Sequence, residues 1–200
     1  TAREQTEFTG RFGAGGFHGG HHALGRVLRS NSVDFIGSPF SYADRSLGSG
    51  LLLEHVPLAS LHAHKKAFFD ESDLRAYNNR EESDVSTISV GQTESLAETL
   101  KIFRSAFGQA IVRGKHQWLY ELTGWLGRFQ ENFSDPVLLA EIARLNTLSE
   151  ELVERDRLPV TEMAFVLDEQ SVAWLPLDSR EFVEHIYHGS ILWGHLGAPF

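Results

Sequence analysis

The sequence predicts an α/β fold of parallel βα units, and three observations carry that prediction. Short apolar strand candidates alternate with longer segments whose apolar residues recur at helical spacing. One strand candidate, "TEMAFVLDE" from Thr161, is a continuous apolar run, the pattern of a strand covered on both faces. Acids and aromatic rings also collect just past the strand candidates, where parallel sheets and barrels place their chemistry.

Size and composition bound the answer. Two hundred residues, 42% apolar and 22% charged, suffice for one good core or for one domain and part of another. A net charge of −9 with no basic stripe argues against a nucleic-acid surface. No apolar run approaches the roughly 20 residues of a membrane span. The absence of cysteine excludes a disulfide scaffold and a thiolate metal site and leaves the compartment open. The chain opens on Thr1 without an initiator methionine and stops at "LGAPF", which reads as the approach to another strand. The expectation is a segment of a longer protein, in which a missing targeting signal says nothing of localisation.

Taken in order, the glycine-rich residues 1–20 read as loop and a short helix is expected over about 21–29. "SVDFIGSP" is a compact strand ended by Pro39, and Tyr42, Asp44 and Arg45 lie in the loop beyond it. Residues 46–59 read as irregular, and "HKKAFFDE" as the next strand, followed by an exposed polar loop from Asn78 to Gln92. Ser95 and Glu98 form a capping box ahead of a helix whose apolar face is Leu96, Leu100, Phe103, Phe107 and Ile111. Gly114 suits its left-handed stop. "HQWLYELTGW" is the third strand, and Asp135-Pro136 opens a helix with Leu138, Ile142, Leu145, Leu148 and Leu152 on its buried face. The run at Thr161 then begins a fresh unit, and Asp178 with Glu181 opens a last helix.

"FFDESDLR" holds the sharpest functional signal: Asp70, Glu71, Asp73 and Arg75 follow directly on an aromatic pair. Carboxylates beside flat rings at strand ends suit glycosidic cleavage, in which one carboxylate stabilises or traps an oxocarbenium-like centre and another carboxyl group protonates the leaving oxygen. The competing reading is a solvated acidic turn with a helix cap. His18, His21 and His22, with His62 and His64 in "HAH", offer a rival metal-site pattern on a helix or on one face of a strand. Trp118 and Tyr120 share one strand face and read equally as core or as site, Trp125 is the better pocket residue, and Trp174 and Trp193 read as packing.

Four stretches, "DFIGSPFSYADR", "LHAHKKAFFDESDLR", "LAETLKIFRSAFGQAIVRGKHQWLYELTGW" and "PVTEMAFVLDEQS", follow in an order that resembles the carboxyl-terminal barrel segments of glycoside hydrolase family 42 β-galactosidases and their divergent bacterial relatives. The likeness covers about residues 15–200 and rests on the four together.

That resemblance implies the C-terminal strands and helices of a (β/α)8 TIM barrel over residues 1–157, then the start of a flavodoxin-like, glutamine-amidotransferase-like trimerisation domain over residues 158–200. It implies a retaining glycosidase without cofactor or metal, acting on a terminal sugar of a glycoside, with a homo-oligomer, a trimer, as the assembled form. Glu71 takes the position of the nucleophile at the end of strand seven. Tyr42 takes that of a tyrosine bonded to it, and Trp125 that of a tryptophan lining the sugar site. Arg45, Asp70 and Arg75 complete the expected substrate-binding set, while the acid/base glutamate belongs upstream of Thr1. Neighbouring strand residues point to opposite sides, so Asp70 competes with Glu71 for the nucleophile role; the longer arm and the family position favour Glu71. The rivals are a noncatalytic sugar-binding or assembly protein on the same barrel and a histidine-site metal-dependent hydrolase.

Overall fold

The computed structural model describes residues 23–40, 47–48, 54, 56–78, 93–121, 133–156, 160–161, 163–166, 168, 170–174 and 192. The elements run in the order α1 (Leu24–Arg29), β1 (Phe35–Pro39), α2 (Leu58–Ala63), β2 (Ala67–Ser72), α3 (Leu96–Val112), β3 (His116–Leu119) and α4 (Pro136–Leu152), followed by a 3-10 turn at Ser171–Trp174. The strands form one sheet in the order β1-β2-β3, and β2 pairs with β3 in parallel. The chain is therefore α/β, with helices between successive neighbouring strands.

Two compact units divide it: Thr1–Ile36, Leu53–Phe68 and Pro159–Phe200 form one, Gly37–Leu52 and Phe69–Leu158 the other. In the first, Leu28, Val56, Leu58, Leu61 and Phe68 make the core, with Leu24 and Ile36 against it. Lys66 closes this unit's polar accounts by donating from Nζ to the Ser30 and Val33 carbonyls, at 2.6 and 2.5 Å. In the second, Phe40, Leu74, Ala76, Ile102, Phe103, Ala106 and Leu138 are the core, with Leu96, Leu100, Leu119, Phe133 and Ile142 packed on it.

The helix boundaries in the second unit follow from their caps. The Ser95 hydroxyl accepts from the Glu98 amide at 3.3 Å, as a capping box requires, while the Glu98 carboxylate reaches the Glu94 amide at 2.8 Å, one residue before the cap. At the other end Gly114 has φ 64, the left-handed conformation that stops the helix and admits β3. Asp135 caps α4, its Oδ1 accepting from the amides of Val137 at 2.7 Å and Leu138 at 3.2 Å.

Several expectations need correction. The buried face of α3 is Thr99, Ile102, Phe103, Ala106 and Ala110, rotated from the expected stripe, with Phe107 and Ile111 only half-buried. Leu96 and Leu100 of the expected stripe still pack on the core from the edge of this face. Residues 46–59 are not wholly irregular, since α2 begins at Leu58. β3 is four residues long, shorter than the ten-residue stretch that suggested it. The run from Thr161 forms no strand at its described residues, and Val160 and Val166 are exposed. A strand exists only by pairing, and an apolar run without a neighbouring edge has no ladder to join. Trp174 is 88% exposed and so does not pack, contrary to expectation. The expected last helix lies outside the described residues except for Leu192, which is helical.

Candidate functional site

Alternation along β2 separates the acidic residues. Phe68, Asp70 and Ser72 are buried, while Ala67, Phe69 and Glu71 are half-buried. The register with β3 pairs Phe69 with His116, Asp70 with Gln117, Glu71 with Trp118 and Ser72 with Leu119. Register partners in a parallel pair share a face. Asp70, Ser72, Gln117 and Leu119 therefore lie together, and Leu119 packs on the core that Ile102, Phe103 and Ala106 of α3 build. Phe69, Glu71, His116 and Trp118 occupy the opposite face, where the Phe69 and His116 rings stack with centroids 4.9 Å apart.

Glu71 is the penultimate residue of β2, which ends at Ser72. The Asp73 amide donates to the Glu71 carbonyl at 3.2 Å, turning the chain out of the sheet, and the Tyr120 amide donates to the Ser72 carbonyl at 2.9 Å as the last rung. Trp118 beside Glu71 is 47% exposed and Tyr120 is also exposed, so both belong to the open surface and not to a core. The result is a half-buried carboxylate at a carboxyl strand end, flanked on the next strand by exposed aromatic rings. Such a face offers a charged group and an apolar platform to one small ligand.

Asp70 is placed differently. It is 1% exposed, and its Oδ2 lies 2.7 Å from the Lys115 ammonium, itself buried. Asp73 and Arg75 are buried as well, so the acidic run is not a solvated turn. Burial of this kind requires charge pairing, and for Asp70 the lysine supplies it.

The segment leaving β2 is tied down residue by residue. The Thr93 hydroxyl donates to the Arg75 carbonyl at 3.3 Å and lies 2.6 Å from the Thr99 hydroxyl oxygen. The Tyr77 amide donates to Thr99 Oγ1 at 3.1 Å, and the Tyr77 hydroxyl donates to Asp135 Oδ2 at 2.6 Å. Asn78 adds a bond to Ser134 at 2.9 Å. The Tyr77 bond, assisted by the Leu138 and Val137 amides, holds the Asp135 carboxyl below its ordinary range. The same bond, with the nearby negative charge, raises the Tyr77 phenol.

Of the sequence-derived site residues, the structure brings Glu71 and the strand-face tryptophan Trp118 together and puts Asp70 on the other face. Arg75 is buried behind the strand end. Tyr42, Arg45 and Trp125 lie outside the described residues, as do His18, His21 and His22. His62 lies on α2 and His64 caps it, with Nδ1 2.8 Å from the Ser60 carbonyl oxygen, so the pair does not line one face of a strand. Among the described residues no group of three or more histidine, aspartate or glutamate side chains could hold a metal ion. Lys115 was missed in the sequence, where a lone lysine between a glycine and a strand carries no pattern. The His116-Trp118-Tyr120 alternation was the one available sign of the aromatic face. No family model, curated protein or solved structure matches the chain.

Proposed function

We propose that this chain carries the nucleophile-bearing strands of a retaining, β-galactosidase-like glycoside hydrolase, with Glu71 as the nucleophile. The observation that carries the reading is the register pair Glu71–Trp118 on the sheet face turned away from α3. In a (β/α)8 barrel the helices cover the outside of the sheet and the opposite face lines the interior, so a carboxylate at a carboxyl strand end on that face stands where barrel chemistry occurs. The unbroken order β1-β2-β3, with helices between strands, agrees with three successive barrel strands.

In this reading the Glu71 carboxylate attacks the anomeric carbon and forms a glycosyl ester as the leaving oxygen is protonated by a second carboxyl group. Water then hydrolyses the ester, with that second group acting as base. The ring at Trp118 offers its face to the apolar side of the sugar. Residues 158–200 would open the flavodoxin-like trimerisation domain.

Trapping tests the proposal. A 2-deoxy-2-fluoro galactoside with a good leaving group slows hydrolysis of the ester, and peptide mapping of the inactivated parent protein should find the label on Glu71. A label on another residue, or turnover that never accumulates an ester, overturns the assignment. Reversible binding of galactosides without any turnover would favour the sugar-binding reading instead.

A further inference from the structure

The covered face of these two strands has a mixed pattern. Strand register is ordinarily fixed because a slip of one residue would expose the apolar set. Here the covered face has Phe68 at one end and Leu119 at the other, with Asp70, Ser72 and Gln117 between them, while Phe69, His116 and Trp118 stand on the open side. Ser72 Oγ and Gln117 Nε2 are buried with no hydrogen-bond partner among the described residues. The middle of this face, where Asp70 and Gln117 pair, is therefore left to polar contacts.

We propose that the buried Asp70–Lys115 ion pair is the lock that fixes the β2–β3 register, making both of them positioning residues for Glu71. Asp70 immediately precedes Glu71, and Lys115 immediately precedes β3. The Lys115 amide donates to the Ala110 carbonyl at 3.0 Å and Gly114 turns with φ 64, so the lysine is tied to the end of α3 before the strand begins. A slip of one residue moves the strand by about 3.3 Å, enough to pull the ammonium from the carboxylate. Two buried charges would then be separated in a poorly solvated place, the situation that buried ion pairs penalise most. The pair thus holds the register at the polar middle of the covered face, and in that register Glu71 faces away from α3 beside Trp118. Its catalytic consequence rests on the proposed role of Glu71; the register claim itself does not.

Cross-linking tests it directly, because the chain has no cysteine of its own. Phe69→Cys with His116→Cys joins register partners about 4.8 Å apart, within disulfide reach. Phe69→Cys with Gln117→Cys or with Trp118→Cys reports slips of one or two residues. With Asp70 and Lys115 in place, only the first pair should oxidise. In an Asp70→Asn/Lys115→Gln background, which removes the charges without adding apolar surface to the covered face, the native link should fall several-fold and a slipped link appear. An Asp70→Lys/Lys115→Asp background should restore the native link. Retention of the native link alone in the uncharged background overturns the proposal. If that background fails to fold by circular dichroism, the exchanged pair decides: folding with the native link supports the lock, and failure to fold or a slipped link refutes it. In the parent protein, a correctly cross-linked but inactive wild-type background would refute the glycosidase reading and leave the lock standing.

Discussion

Glu71 of β2 and Trp118 of β3 are register partners on the sheet face opposite α3, one half-buried and ionisable, the other half-exposed and flat. Because the ring is 47% exposed, its removal should cost little folding stability while stripping the platform beside the carboxylate. On the proposed glycosidase reading, Trp118→Ala should weaken galactoside binding by about 1 kcal/mol, the scale of a single aromatic contact. Inhibitor titration checks it, with thermal unfolding as the control: equal affinity in both proteins would remove Trp118 from the site.

Lys115→Met alone takes the ammonium from a buried carboxylate that has little access to water. Breaking one side of such a pair costs roughly 3–5 kcal/mol, whereas replacing both sides by apolar groups is often neutral. Urea unfolding of the single and double variants should show the double variant as the more stable of the two.

Tyr77 and Asp135 link the segment leaving β2 to the start of α4. The folded Asp135 carboxyl titrates below its unfolded value, so its stabilisation is complete above the ordinary carboxylate range and is lost as pH falls through the lowered value. Tyr77→Phe removes the largest cause of the shift and should move the acid-unfolding midpoint to higher pH. The Tyr77 phenol is raised, so it should ionise later than ordinary tyrosine in an ultraviolet titration, and its contribution is lost only as pH climbs through that raised value.

Glu141 accepts from Arg144 at 2.6 and 3.0 Å and from Arg104 at 2.8 Å, joining α4 to α3, and the two guanidinium groups, Arg144 first, lower its carboxyl to about 2. Both arginines are more than half exposed, so solvent screens the pairs. Glu141→Gln should therefore cost under about 1 kcal/mol at neutral pH, and the difference should shrink in high salt. The depressed value places the lost contribution between about pH 4.5 and 2, and chemical denaturation across that window should show the two proteins converging.

What could be read in the sequence was local. Ser95, Gly114 and Asp135 announced the ends of α3 and α4 because a cap is a short-range event between a side chain and nearby amides. The run from Thr161 misled because a strand depends on a neighbour elsewhere in the chain. The site shows the same division. The carboxyl end of β2 near Glu71 and the alternation of His116, Trp118 and Tyr120 were visible, since both are short-range features of one strand. The separation of Asp70 from Glu71 onto two faces, and the Lys115 partner, required the register and the packing of α3. Polar residues between Phe68 and Leu119 on the covered face dilute the usual pattern, so alternation alone could not say which acid pointed where.

The most direct test of the proposed role of Glu71 is chemical rescue at that position. Glu71→Gly should abolish galactoside turnover with the fold retained, because this half-buried side chain lies opposite the core. Added azide or formate should then restore part of the activity by attacking from the vacated space, and the glycosyl azide should have inverted anomeric configuration. Asp70→Gly should lose activity through its lost lysine contact and gain nothing from azide. Rescue of the Asp70 variant with none at Glu71 would contradict the account, and so would full activity in the Glu71 variant.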